Sequence, residues 1–329
     1  MPYAEERRIA IEAVERASFL CRTVQANLVA EASMDKKDKS PVTVADFGAQ
    51  AVVTHALRGA FPELPLVGEE DAAELRDPAN RGIADQVVAH VAETVPGIEA
   101  DAVLDLIDYG TYPGGGSGRH WTLDPIDGTK GFLRLDQYAV ALALIEDGEV
   151  VLGVLGCPNM PLDASDPDGE RGCLFVAVKG EGAFRRALSG GPEEGVAVTR
   201  IDDPSQAKFC ESVEAAHSSQ SDSAQVAQKL GITAEPFRID SQCKYGAVSR
   251  GDASIYLRLP TRADYEEKIW DHAAGAIVVR EAGGKVTDIR GRELDFSLGR
   301  TLKNNSGVIV TNGALHDRVI EAVGEVLGF

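Results

Sequence analysis

Apolar residues recur at helical spacing from the start of the chain. Ala10, Val14, Ala17, Cys21, Val24 and Leu28 form one stripe and predict a long helix over residues 4–31. A charged break follows, from Asp35 to Pro41. Val42, Val44 and Ala45 then lead to a second helix through Phe47, Ala51, Val52 and Leu57, with Asp46 expected at its start. Residues 61–70 read as a short strand ending in Glu69 and Glu70. Residues 76–108 read as mostly helical with a break at Pro96-Gly97. Two hydrophobic runs, 138–145 and 150–157, flank Glu146-Asp147-Gly148 and predict a hairpin. A third run, 173–178, follows a loop rich in Asp, Pro and Gly, and further strands continue to about residue 200. Beyond Asp202-Asp203-Pro204 the pattern changes to alternating strands (208–213, 236–239, 254–259, 308–310) and helices (221–230, 271–282, 315–327). This predicts two domains, 1–203 of α+β type and 204–329 of α/β type.

The 329 residues carry a net charge of −19, and 44% are hydrophobic. That hydrophobic share fits a soluble globular protein, and no apolar run is long enough to span a bilayer. The charge excludes a basic face for a nucleic-acid duplex. It also means that an anionic substrate would need locally supplied positive charge, which bound cations could provide. The N-terminus reads as neither a secretory signal nor a transit peptide. The expected location is therefore intracellular: cytoplasm or, after removal of a transit peptide, a chloroplast or mitochondrion. Five cysteines without CxxC spacing point to reduced thiols rather than a zinc site. Cys157 and Cys173 would meet near the end of a hairpin. Packed free thiols are the plainer reading there, with a redox-sensitive disulfide as the alternative.

The candidate chemistry is concentrated in Trp121-Thr122-Leu123-Asp124-Pro125-Ile126-Asp127-Gly128-Thr129. Apolar Trp121, Leu123 and Ile126 predict a buried strand running into a polar turn. Pro125 fixes its own φ and biases Asp124 towards extended geometry. Asp124 and Asp127 can then converge on one point, as a hard cation such as Mg²⁺ requires. Gly128 and Thr129 would offer backbone N–H groups and a hydroxyl to a phosphate at a helix start near Lys130. The glycine-rich stretch 112–118 has the wrong register for a nucleotide P-loop.

This motif resembles the lithium-sensitive, Mg²⁺-dependent phosphomonoesterase superfamily. The resemblance implies the layered αβαβα sandwich of inositol monophosphatase type. It implies two or three Mg²⁺ held by Glu69, Asp124, the Ile126 carbonyl, Asp127 and Asp271, with Glu70 as the substitute for Glu69. Asp46 and Thr129 match the superfamily's water-activating pair. Asp271 lies in Trp270-Asp271-His272-Ala273-Ala274-Gly275, where a plain helix N-cap is the other reading. His272 reads as a packed or capping histidine.

Four further strings narrow the resemblance: Glu214-Ala215-Ala216-His217-Ser218-Ser219, Asp240-Ser241-Gln242-Cys243-Lys244-Tyr245, Tyr256-Leu257-Arg258-Leu259-Pro260 and Tyr265-Glu266-Glu267-Lys268-Ile269-Trp270. With the Asp124 motif they resemble the 3′(2′),5′-bisphosphate nucleotidases of plants and fungi, from about residue 5 to 312. That family cleaves 3′-phosphoadenosine 5′-phosphate to AMP and phosphate. It also attacks 3′-phosphoadenosine 5′-phosphosulfate, and some members act on inositol 1,4-bisphosphate. The resemblance implies that His217, Ser241, Lys244 and Arg258 hold the nucleotide and its 5′-phosphate, with Gly128, Thr129 and Asp271 also touching substrate. It implies inhibition by lithium or sodium. A monomer or weak homodimer is the expected assembly. An inositol phosphatase is the nearest competing expectation. A non-catalytic nucleotide sensor is a more distant one.

Overall fold

The computed structural model describes residues 2–31, 40–213, 219–262 and 264–329. Helix α1 (Ala4–Glu31) buries the predicted stripe, Ala10 to Val24, while the Leu28 side chain lies outside the described residues. Residues 35–39 of the expected charged break, Asp35 to Pro41, lie outside them too. Helix α2 (Ser40–Ala60) corrects one expectation: Asp46 is not at its start but well inside it. The helix begins earlier because Pro41 falls in the first turn, where a missing N–H breaks no intrahelical bond. Helices α3 (Arg81–Thr94) and α4 (Ala100–Asp108) are separated at Pro96-Gly97, as the break predicted.

The first sheet is seven-stranded: β1 (Leu66–Gly68), β2 (Arg119–Asp127), β3 (Ala139–Glu146), β4 (Glu149–Pro161), β5 (Arg171–Val178), β6 (Gly182–Ala187) and β7 (Glu194–Gly195), paired in that order. Only the β1–β2 pair is parallel, because the helices between them allow a crossover; the rest is an antiparallel meander. The β3–β4 turn puts Asp147 and Gly148 at φ 49° and 81°, a left-handed pair that suits the right-handed twist of a hairpin. A short helix α5 (Thr129–Leu133) follows β2.

The second sheet has five strands. Its members are β8 (Phe209–Glu211), β9 (Phe237–Arg238), β10 (Ile255–Arg258), β11 (Lys285–Thr287) and β12 (Val308–Thr311), in the order β11-β12-β10-β8-β9. Helices α6 (Gln220–Lys229), α7 (Cys243–Ser249), α8 (Ala273–Glu281) and α9 (His316–Leu327) complete the fold.

Side-chain alternation explains the layering. On the first sheet Leu123, Leu142, Leu144, Val154 and Val176 face α1–α4. The other face shows Ala139, Ala141, Ala143 and Phe175 to α7 and α8, which also meet Tyr256 and Val310 of the second sheet. Phe209, Leu257 and Ile309 face α6 and α9 through Val226, Val319 and Val323. The result is an αβαβα sandwich of three apolar layers.

Small residues set the middle spacing. A Cβ on Gly153 would lie 2.5 Å from Ile277 Cγ2 and 2.8 Å from the Ala274 carbonyl oxygen of α8. Gly153→Ala should therefore cost about 1–3 kcal/mol of overpacking. Urea unfolding will measure it; an unchanged midpoint would mean that α8 is free to move off the sheet.

Cys157 and Cys173 face each other in register on β4 and β5, and both are buried free thiols. Burial pushes the Cys173 thiol up to about 11, away from the thiolate that disulfide chemistry needs. Among the described residues, no helix is long and apolar enough to cross a membrane.

Candidate active site

The ladder between β2 and β3 slips between Asp124 and Asp127. Pro125 cannot donate to it, so the strand bulges there and both carboxylates turn towards its end. Gly128 then adopts φ 91°, and a Cβ there would lie 2.9 Å from Ser241 Cβ. Glycine is thus required twice, by backbone sign and by the close approach of Ser241. Ser241 is itself at φ 65°, a strained value for a non-glycine residue, and the next backbone N–H, from Gln242, donates to Asp127 Oδ2 at 2.6 Å.

Parallel pairing sets Gly68 opposite Leu123, and the Glu69 N–H donates to the Leu123 carbonyl at 3.2 Å. Glu69 therefore sits beside Asp124. Gln50, one helical turn beyond Asp46 on α2, fastens the next residue by bonding both the carbonyl and the N–H of Glu70. From the other half, Asp271 stands just ahead of α8 rather than capping it; His272 holds the cap position without a capping side-chain bond. The Gln242 amide donates to the Trp270 carbonyl at 2.8 Å and accepts from the Gly275 N–H at 3.0 Å, so one residue ties Asp127 to the Asp271 segment.

These pieces line a cleft of about 420 Å³ that contains Glu69, Asp124, Ile126, Asp127, Gly128, Thr129, Arg258 and Asp271. Burial, then the negative neighbours Asp271 and Glu70, push Glu69 up to about 8. Burial and then Glu69 and Asp127 raise Asp124 well above the usual carboxylate range. Asp127 and Asp271 are also raised, by burial first. Asp46 is raised by burial and by Glu70 and Glu69. Asp46 Oδ1 and Asp124 Oδ1 are buried and, among the described residues, without a hydrogen-bond partner. Converging buried carboxylates, some with free oxygens, suit a divalent cation chemically.

Glu267, Asp271 and His272 also cluster closely enough for a metal. Glu267, however, already pairs with Arg258 at 2.8 Å and with His272 at 3.1 Å, and despite burial these partners hold it down at about 2. This is an ion-pair cluster, whereas among the described residues Glu69, Asp124 and Asp127 make no ion pair, and Lys244 and Arg258 only partly offset the charge at Asp127. His272 also shares a 2.7 Å hydrogen bond with the Tyr245 hydroxyl, which makes it a packed histidine.

A smaller pocket adjoins the cleft, lined by Ser241, Lys244, Tyr256 and Arg258 together with Asp127 and Asp271. Lys244 is 5% exposed, its Nζ lies 5.1 Å from the Tyr256 ring centroid, and burial lowers its pKa. Among the described residues it makes no ion pair. Arg258 bonds Asp271 at 3.3 Å besides Glu267.

Of the expected site residues, Glu69, Asp124, Ile126, Asp127, Gly128, Thr129, Ser241, Lys244, Arg258 and Asp271 thus line two adjoining compartments. His217 lies outside the described residues. Asp46 is near the group electrostatically, but no hydrogen bond joins it to Thr129. Sequence reasoning left Gln242 and Glu267 without roles, although both lie in the strings that carried the resemblance.

The sequence profile of the inositol monophosphatase family matches residues 3–327. A Schizosaccharomyces pombe protein named 3′(2′),5′-bisphosphate nucleotidase is 47% identical, over 99% of this chain and 97% of its own. One of the same name from Oryza sativa is 46% identical, over 99% and 95%. Among solved structures, an inositol monophosphatase from Anabaena superposes with a TM-score of 0.63 at 20% identity, covering 99% of this chain and 97% of its own. Mycobacterium tuberculosis SuhB superposes at 0.62 and 19% identity, covering 99% and 98%. The fold is shared end to end, the profile spans nearly the whole sequence, and this chain belongs to the inositol monophosphatase family.

Proposed function

We propose that this chain removes the 3′-phosphate of 3′-phosphoadenosine 5′-phosphate, giving AMP and phosphate, and that it also attacks 3′-phosphoadenosine 5′-phosphosulfate. The names of its nearly full-length relatives support the substrate. The observation that carries the reading is Lys244, a buried cation that makes no ion pair among the described residues, in a pocket that shares Asp127 and Asp271 with the carboxylate cleft. A substrate with two phosphates fits that pairing: one at the carboxylates with their cations, one at Lys244 and Arg258. Ser241 and His217 would complete the nucleotide contacts.

In this reading Glu69, Asp124, Asp127, Asp271 and the Ile126 carbonyl hold two or three Mg²⁺. When bound, Mg²⁺ would neutralise these carboxylates, polarise the phosphoryl group and lower the pKa of a water. The chain's own groups do the rest. Thr129 orients the attacking water through its hydroxyl, and Asp46 Oδ1, which has no hydrogen-bond partner among the described residues, is the acceptor available for the proton that leaves. The Gly128 and Thr129 amides steady phosphoryl oxygens. Lithium or sodium in place of a Mg²⁺ would inhibit, and the protein would act as a monomer or weak homodimer.

The test is phosphate release from 3′-phosphoadenosine 5′-phosphate in Mg²⁺, with and without millimolar lithium. Fast, lithium-sensitive release with AMP as product is expected. Release from inositol 1,4-bisphosphate alone would transfer the reading to an inositol phosphatase. Lys244→Ala should raise KM for the bisphosphate by about 10–100-fold, the equivalent of one charge-assisted hydrogen bond of ~1.5–3 kcal/mol. A 3′-monophosphate should be little affected. Equal effects on both substrates would remove Lys244 from the 5′-phosphate.

A further inference from the structure

The two halves of the carboxylate group come from segments far apart in sequence. Glu69 follows β1, and Asp271 precedes α8. One side chain touches the backbone of the first and the ring that flanks the second. Arg300 Nη2 donates to the Gly68 carbonyl at 2.5 Å, the residue before Glu69. Its Nη1 donates to the carbonyls of Gly110 at 3.1 Å and Tyr112 at 3.2 Å, in the loop after α4. The Gly68 N–H in turn donates to the Gly110 carbonyl, so the three acceptors form one tied cluster. The guanidinium carbon lies 4.8 Å from the centroid of the Trp270 ring, and Trp270 immediately precedes Asp271.

The main chain of Arg300 is part of the same device. Its carbonyl accepts from the Ile269 N–H at 3.2 Å, and Leu302 N–H donates to the Glu267 carbonyl at 2.8 Å. Segment 300–302 therefore runs alongside 267–269, two residues short of Asp271. Among the described residues Arg300 makes no ion pair. Its positive charge is left to carbonyl dipoles, the Trp270 face and the nearby Glu69 and Asp71.

We infer that Arg300 is a positioning residue, a clasp that holds the Glu69 and Asp271 segments in place around the carboxylate cleft, where these side chains would hold divalent cations. This inference rests on the metal reading proposed above. The chemistry requires arginine. A planar fork can reach three carbonyls while its face lies on an indole; an ammonium keeps the charge but not the fork. Residues that orient the groups holding a metal commonly change its affinity by about 10–100-fold.

The experiment is a Mg²⁺ titration followed by thermal shift and calorimetry on the full chain, wild type against Arg300→Lys. The clasp predicts that the lysine variant needs at least about tenfold more Mg²⁺ for half the shift, a loss of the size seen for residues that support metal ligands. It also predicts an unchanged KM for 3′-phosphoadenosine 5′-phosphate once Mg²⁺ saturates. A merely structural arginine would lower Tm in EDTA without moving the Mg²⁺ midpoint, and that result would overturn the inference. A second variant, Trp270→Leu, keeps the arginine and removes the surface it lies on. It should weaken Mg²⁺ in the same sense, and wild-type affinity in it would also overturn the clasp. A flat titration of the wild-type chain would bring down the metal reading and the clasp together, whereas normal wild-type binding with an unshifted lysine curve would bring down the clasp alone.

Discussion

Asp124→Asn should lower turnover of 3′-phosphoadenosine 5′-phosphate in Mg²⁺ by about three orders of magnitude or more, yet raise the melting temperature of the metal-free protein at pH 8. The two effects have one cause. Asp124 is 2% exposed and faces Glu69, Asp127, Asp271 and Asp46, with one oxygen unpartnered. In the absence of a cation its carboxyl must either stay charged among like charges or hold a proton that the unfolded chain has released, and asparagine keeps its shape while removing that cost. With the cation it becomes a central oxygen donor in the proposed site. Loss of a few kcal/mol of charge stabilisation in the transition state, about 4 for three decades, accounts for the rate. Gain of stability at the expense of activity is the expected sign for a strained functional site. Turnover within about tenfold of wild type would remove Asp124 from the metal site. A lower metal-free melting temperature would mean that its carboxylate has a partner the geometry does not contain.

The pattern of the sequence carried the elements whose burial is one-sided. The α1 stripe, the β3–β4 hairpin with its Asp147-Gly148 turn, and the alternation after residue 204 all follow from period and turn chemistry. The motif around Asp124 was legible for a local reason: Pro125 fixes its own φ and constrains Asp124 before it, which a neighbour-by-neighbour reading can anticipate, whereas the bulge in the β2–β3 ladder appears only in the structure. Helix α7 was not legible. All of its residues from Cys243 to Ser249 are buried, including Lys244, so no polar face marks a helical period. Asp46 was misplaced because a charged run looked like the natural boundary, whereas Ser40 starts the helix. Gln242 and Arg300 escaped for a different reason. They act on backbone carbonyls and N–H groups distant in sequence, and a backbone acceptor carries no residue signature.

The same crowding of carboxyls makes stability depend on pH with an unusual sign, and Mg²⁺ should reverse it. Glu69 is held at about 8 and Glu70 at about 7, both by burial first and negative neighbours next, against an ordinary 4.5. Between pH 4.5 and 8 the folded chain therefore binds protons that the unfolded chain has released. Stability from this source is fully present below 4.5 and is lost as pH rises towards 8, at about 1.4 kcal/mol per pH unit for each proton so held. Most carboxyls in folded proteins act the other way, because a partner lowers them. A divalent cation replaces the missing protons as counter-charge and binds best once they have left. Saturating Mg²⁺ should consequently raise the melting temperature by about 5 °C at pH 8, from a binding contribution of a few kcal/mol, and by much less at pH 5.5. Asp124→Asn should flatten both responses. The decisive measurement is calorimetric melting at the two pH values, with EDTA and with Mg²⁺. An equal Mg²⁺ shift at both would show that the cation binds elsewhere, and a metal-free protein more stable at pH 8 than at 5.5 would show that these carboxyls are already partnered.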